Sequence, residues 1–363
     1  MTTVERVQAV ADYGLTERQA RFVVLVMQHS GLCVKRQYAA FAGIAPGGEK
    51  CNAFFDKLVQ RGYAITSDCI HNRARLYHVH HQPLYHAIGD PESRYRRAVP
   101  ARRAAERLMR LDAALLSPDL DWLTTRPAKL AHLEATIGRP SGQPGAIETT
   151  KARTNLVERL PGTFPIGVDS SGGLTLIYVA TVPWTEDFRI FLLGHAALLS
   201  VSPAWTLRLV FPQTLQRVVS AYEQAVREEL ASPFVGETAN EVSWYFFHRR
   251  RNTDWSQYPG GPESAIRVRF SRCAKTFVGP RFALLYRHWL TLGEVALAPL
   301  SSVITETLAS GRSTVESVVL PHTYEHLSPL VNRRHPRRRR LIADAEERER
   351  ALRGLNPPLN LVP

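Results

Sequence analysis

EKCNAFFDKLVQRGYAITSDCIHNRARLYHVHH, residues 49–81, changes period halfway along, and that change sets the reading of the N-terminal quarter. Its first part spaces Cys51, Phe54, Phe55 and Leu58 as one apolar face of an amphipathic helix. Gly62 follows as a left-handed stop. Beyond it, YAITSDC and RLYHVHH read as two strands around the turn IHNRA. Upstream, LTERQARFVVLVMQHSG (15–31) reads as a helix, with Thr16 as N-cap and Gln19 placed to close a capping box. VKRQYAAFA (34–42) is a short helix stopped by Gly43, and APGG (45–48) is a turn. Pro83 opens a further helix, PLYHAIG.

Three helices followed by a hairpin is the element order of a winged helix-turn-helix. A helix fits the major groove and reads base edges there. Its candidates here are Lys50, Asn52, Lys57 and Gln60, on a face that also carries Glu49 and Asp56. Lys35 and Arg36 open the preceding helix and are candidate backbone contacts. A basic hairpin tip can lie against phosphates; His71, Arg73 and Arg75 supply it. The same stretch raises a metal site, since Cys69, His71, His78 and His80 could be imagined as ligands. No C-x-x-C or H-x₃-H pair anchors such a set, so neither a metal nor a cofactor is expected.

The chain has 363 residues, a soft prior for two or three domains, with a formal net charge of +13 and a pI of about 9.9. That charge favours a polyanionic partner, nucleic acid before an anionic membrane. No apolar run is long enough to span a bilayer, and the N-terminus lacks an apolar signal core. Four cysteines without a C-x-x-C pair fit reduced thiols and a cytoplasmic, nucleoid-associated location.

After residues 1–90, residues 91–150 read as a basic helical linker. PESRYRRAV leads to a helix from Pro100, with Leu108, Leu111 and Leu115 on one face and Arg103, Arg107 and Arg110 on another. That arginine stripe is either a solvated face or an extension of the phosphate-contacting surface. A Gly/Pro/Ser/Thr-rich loop covers 137–150. Residues 151–330 read as an α/β domain, with strands TFPIGVD, LTLIYVAT and WTLRLVFP alternating with helices FRIFLLGHAALLSV and LQRVVSAYEQAVREEL. Residues 240–330 add the aromatic-basic stretches WYFFHRRR and RFALLYRHW, with a helix at 281–293. The tail 331–363 contains RRHPRRRR, where Arg337, Arg338, Arg339 and Arg340 are candidates for unspecific phosphate contact.

Enzyme signatures are weak. HTYEH (322–326) has the H-x-x-E-H spacing of inverted zinc peptidases, but Pro321 and Pro329 leave little helix. In a tyrosine recombinase box, Glu325 would stand where an arginine is required. A magnesium nuclease needs an acid on one strand and an acid-x-lysine on the next; Asp169 could be the first, but LTLIYVAT supplies neither partner. There is no phosphate-binding G-x-x-x-x-G-K-[ST] loop and no G-x-S-x-G elbow.

Residues 15–31, KLVQRGYA (57–64) and RARLYHVH (73–80) resemble the winged-helix replication-relaxation proteins of bacterial plasmids and mobile elements. In that group an α/β domain similar to a restriction-endonuclease core follows; FPIGVDSSGGLTLIYVATVP through WTLRLVFP occupies that place, and the likeness covers about residues 15–235. The acidic strand residues often found there are missing, so the resemblance implies a degenerate, non-catalytic copy. The expectation is an α+β multidomain protein: winged helix, α/β domain, basic tail. Its expected role is sequence-specific binding of double-stranded DNA as an accessory or regulatory factor, as a homodimer, beside a recombinase or replication protein. The alternatives are a metal-dependent nuclease and a protein-interaction adaptor.

Overall fold

The computed structural model describes residues 1–68, 75–99, 101–137, 166–231, 236–251, 265–297 and 302–324. It is an α+β protein with two sheets, and it divides into two compact units. One comprises Met1–Pro183, Val201–Ser220 and Ser310–Arg333; the other contains Trp184–Ser200 and Ala221–Ala309. This corrects the linear partition at 90, 150 and 330. The expected 151–330 domain is shared out between the two units, because its strands join the N-terminal part of the chain.

The first unit opens with α1 (Thr3–Ala11), which has a capping box: the Glu5 amide donates to Thr2 Oγ1 at 3.2 Å and the Thr2 amide to Glu5 Oε2 at 2.8 Å. Thr16 and Gln19 close the same motif on α2 (Glu17–His29). A two-residue strand, β1 (Leu32–Cys33), precedes α3 (Lys35–Ala42) and α4 (Glu49–Gln60). The hairpin β2 (Ala64–Asp68) and β3 (Arg75–Val79) follows, with Ala64 opposite Val79 and Asp68 opposite Arg75. β1 pairs with β3, giving the order β1-β3-β2. α5 (Gln82–Ala87) carries Pro83 in its first turn. Phe22, Tyr38, Phe54, Phe55 and Tyr77 pack as one aromatic cluster among these elements. At Gly31 (φ +68°) a Cβ would lie 2.2 Å from the Tyr95 carbonyl oxygen, so only glycine lets the two backbones approach.

α6 (Ala101–Leu115) is no linker. Leu111 enters the N-terminal core, while Leu108, Met109 and Ala113 join a second core with Leu32, Leu76, Ile177, Val210 and Leu320. That second core rests on a five-stranded sheet: β4 (Asp121–Leu123), β5 (Ile166–Val168), β6 (Leu174–Val179), β7 (Trp205–Pro212) and β8 (Ser313–Leu320), in that order. The β4–β5 and β5–β6 pairs are antiparallel, and β6, β7 and β8 are parallel. β6 is almost wholly apolar, whereas β7 and β8 set Thr206 beside Thr314 and Arg208 beside Glu316 on a more exposed face. α7 (Arg126–Ile137) follows β4.

The second unit consists of the connections between the parallel strands. α8 (Glu186–Val201) links β6 to β7. α9 (Val219–Val226), α10 (Gly236–Arg250), α11 (Ala265–Thr276), α12 (Pro280–Leu292) and α13 (Ser302–Ala309) lie between β7 and β8. The single helix expected over 215–230 is instead a 3₁₀ turn, α9 and a π turn at Arg227–Ala231. The π turn sets Glu228 and Glu229 onto Arg189, at 2.7 and 2.6 Å.

Asp112 of α6 is buried and accepts both guanidinium nitrogens of Arg36 at 2.8 Å and the hydroxyl of Tyr324. Removing one partner from a buried pair strands the other, which costs about 3 kcal/mol or more. Asp112→Ala is therefore expected to lower unfolding free energy by about 3 kcal/mol in urea titration; a loss under 1 kcal/mol would count against the clasp.

Lys129 of α7 is 1% exposed, and burial followed by Arg94 and Arg110 pushes its pKa down to about 8. The folded pKa lies below the unfolded one, so between them only the unfolded chain holds the proton and stability rises with pH. From pH 7.5 to 9.5 the protein is expected to gain about 2 kcal/mol, and Lys129→Met to remove that gain. An equally steep profile in the variant would assign the effect to other groups.

Candidate nucleic-acid interface

The apolar face of α4 is spent on the core: Cys51, Phe54, Phe55 and Leu58 are each at most 1% exposed. Its opposite face is left to solvent and carries Glu49, Lys50, Ala53, Asp56 and Gln60, with Lys57 half-buried beside them. Lys50 and Lys57 line a groove of about 610 Å³ together with Thr16, Arg18, Tyr38 and Phe54. A neighbouring depression is formed by Glu17, Arg18, Arg21 and Phe41. Arg18 and Arg21 thus extend the cationic side of α4 onto the start of α2. They escaped the sequence reading, although both follow the Thr16 cap on the polar side of that helix.

Other expected contacts are committed elsewhere. Lys35 donates to Asn52 Oδ1, and Asn52 Nδ2 donates to the Gly47 carbonyl at 2.8 Å. Both residues are half-buried and tie α3 to the start of α4, so neither reaches out as a reader. Arg36 is held by Asp112, and the buried Gln37 beside it donates to the Leu108 carbonyl at 2.9 Å. The start of α3 therefore faces α6 rather than solvent.

The stripe on α6 is corrected in the same way. Arg103 is exposed. Arg107 is buried; it donates to the Ser30 carbonyl at 3.2 Å and lies 5.1 Å above the Tyr95 ring. Arg110 pairs with Glu106 and donates to the Tyr95 hydroxyl at 3.4 Å. The stretch 91–99 supplies Tyr95 as their anchor, in a 3₁₀ turn at Arg94–Arg96. Two of the three arginines therefore belong to the packing of the unit.

On the hairpin, Arg75 is exposed and stands across from Asp68. His71 and Arg73 lie outside the described residues, as do Cys69 and Arg337, Arg338, Arg339 and Arg340. His78 is buried, and its Nε2 is 3.0 Å from the Tyr95 carbonyl. Burial lowers its pKa despite that hydrogen bond, so the ring is neutral at pH 7 and donates. It fastens β3 to the 3₁₀ turn. Among the described residues no group of three or more His, Cys, Asp or Glu side chains could hold a metal ion. No described helix is long and apolar enough to cross a membrane.

Asp169 sits at the turn between β5 and β6. Its Oδ1 accepts from the Ser171 amide at 2.8 Å, the Gly173 amide at 2.9 Å and the Ser171 hydroxyl at 2.5 Å. The Ser171 hydroxyl chiefly, and these amides after it, hold the carboxyl below its ordinary range. β6 carries no charged residue. The geometry is that of a turn-forming aspartate.

No family model matches the chain, and no curated protein or solved structure matches it either.

Asp169→Ala is expected to lower stability by about 1 kcal/mol, through the loss of turn hydrogen bonds. Thermal melts check this, and incubation of both proteins with plasmid and magnesium tests the rival role. Magnesium-dependent cleavage that disappears in the variant would make Asp169 a nuclease acid instead.

Proposed function

We propose that the N-terminal elements through β3 work as a winged helix on double-stranded DNA. α4 would enter the major groove, and the β2–β3 hairpin would lie against the flanking backbone. The observation that carries this reading is the outward face of α4. It holds Lys50, Lys57 and Gln60 clear of the core, beside Arg18 and Arg21 of α2. Long polar side chains on a supported helix suit base edges and phosphates together. The overall charge of +13 adds salt-dependent attraction of any such chain to nucleic acid.

Rigid support favours precise readout. α4 is backed by the aromatic cluster, and α3 is fastened to α6 by the Arg36–Asp112 pair and Gln37. If the resemblance read from the sequence of residues 15–235 holds, the role would lie in the replication, transcription or recombination of a mobile element. In this reading the five-stranded sheet is a scaffold, without catalysis of its own.

Binding of the full chain to a random duplex and to the duplex upstream of its own gene, across a salt series, tests the proposal. Each phosphate contact adds about 0.9 to the slope of log affinity against log salt. Lys50→Ala with Lys57→Ala is expected to weaken binding to the upstream duplex at least tenfold and reduce that slope by up to about 2. Arg75→Ala should reduce the slope by up to about 1, while Gln60→Ala should narrow the difference between the two duplexes. Unchanged affinity and slope in the double lysine variant would remove α4 from the interface and favour a protein-contact role, which Glu49 and Asp56 on that face would then serve.

A further inference from the structure

The second unit carries a different kind of surface. Its core is built from Val242, Tyr245, Phe246, Cys273, Phe277 and Trp289. Trp244, half-buried against that core, and Phe247, His248 and Arg251 follow one another at i, i+3, i+4 and i+7 along one stripe of α10 and its end. The rings touch: Trp244 and His248 have centroids 4.4 Å apart, and Phe247 and His248 5.6 Å. Arg251 lies 4.6 Å over Phe247, and Arg269 of α11 lies 4.2 Å over Trp244. The stripe therefore continues onto α11.

α11 carries Arg267, Arg269, Arg272 and Lys275 and no acid. Its outer side mixes these cations with exposed apolar groups: Val268 is 58% exposed and Ile266 36%, while Phe247 of α10 is 44% exposed. Glu241 of α10 holds Arg272 at 2.6 Å and Arg269 at 3.7 Å.

We propose that the α10–α11 face, centred on Trp244, Phe247, Arg267, Arg269 and Arg272, binds single-stranded nucleic acid. A single strand offers both things that this face complements: a row of phosphates for the guanidinium groups, and unpaired bases for flat rings and exposed methyl groups. A duplex hides its bases and would leave Phe247 and Val268 against water. Arg251 and Arg269 cover the faces of Phe247 and Trp244. Drawn onto a phosphate, each bares a ring on which a base can stack. The site is separate from the α4 surface and does not depend on that assignment.

Fluorescence anisotropy of the full chain with labelled oligothymidylate, which has little structure of its own, tests this. Arg267→Ala with Arg272→Ala and Lys275→Ala is expected to cost at least tenfold in affinity and flatten the salt slope by up to about 2. Phe247→Ala should cost about fivefold at an unchanged slope, with Phe247→Trp restoring binding, because stacking is independent of salt. Neither change should affect duplex binding, and Lys50→Ala with Lys57→Ala should leave oligothymidylate binding intact. All of these side chains are at the surface, and melting curves confirm intact folds. Undiminished oligothymidylate binding in both α10 and α11 variants overturns the proposal. So does a triple variant that loses phosphatidylserine vesicles or polyglutamate to the same degree while Phe247→Ala changes nothing, since that pattern is a generic anion-binding face.

Discussion

The carboxylate of Asp112 is the fixed point on which the first unit depends. It lies on α6, whose side chains pack against both the helical N-terminal part and the five-stranded sheet. Arg36 reaches it from α3 and Tyr324 from the segment after β8, 212 residues further along the chain than Asp112. A buried carboxylate is tolerated only with its lone pairs filled, and here three donors fill them. Burial and the neighbouring Asp112 raise the Tyr324 phenol, which keeps it a donor. The Arg36 guanidinium also stacks 5.4 Å over the Tyr324 ring, so the three groups hold one another in orientation. The clasp gives direction to a contact that Leu108, Met109 and Leu320 would otherwise make by apolar packing alone.

The first unit also handles the opposite problem. Arg107 and Lys129 are cations with under a tenth of their surface exposed, and His29 is fully enclosed against Trp122 at 4.7 Å. Burial first, then Arg110 and Lys129, push the His29 pKa down to about 3, so the ring is neutral throughout the physiological range. Arg107 is stabilised by carbonyl oxygens and by the Tyr95 ring rather than by an acid. An excess of positive charge in the sequence is therefore only in part a surface property. Some of it is structural, held by backbone dipoles and aromatic faces.

This explains what was legible in the sequence. The helices and hairpin of residues 15–81 could be read because each carries local signals: the Thr16–Gln19 capping box, the Cys51–Leu58 apolar face, and the stops at Gly43 and Gly62. α1 was missed although Thr2 and Glu5 give the same capping signal as Thr16 and Gln19. β1 is two residues long and exists through its pairing with β3, which no local pattern encodes. β8 was missed for a similar reason: STVESVVL finds its place only beside β7, after a connection of about a hundred residues. The arginines were harder. Arg36, Arg107 and Arg110 look like Arg103 in the sequence, and their partners Asp112, Ser30 and Tyr95 lie 76, 77 and 15 residues away along the chain.

Sorting cations by partner narrows where a polyanion can act. A guanidinium already satisfied by a buried carboxylate or by carbonyl oxygens has to surrender those bonds before it can take a phosphate, and each surrendered bond leaves a buried acceptor unpaired. That penalty removes Arg36 and Arg107 from any interface, whatever their charge. Lys50 and Lys57 face no such penalty, since the groove beside them is open to solvent. Arg251 and Arg269 occupy a middle position: their partners include aromatic faces, which a base can take over without leaving a buried polar group unsatisfied. The two units thus present cations of different chemistry. Lysines beside a supported helix suit the regular backbone and edges of a duplex, and arginines laid over rings suit a strand whose bases are unpaired.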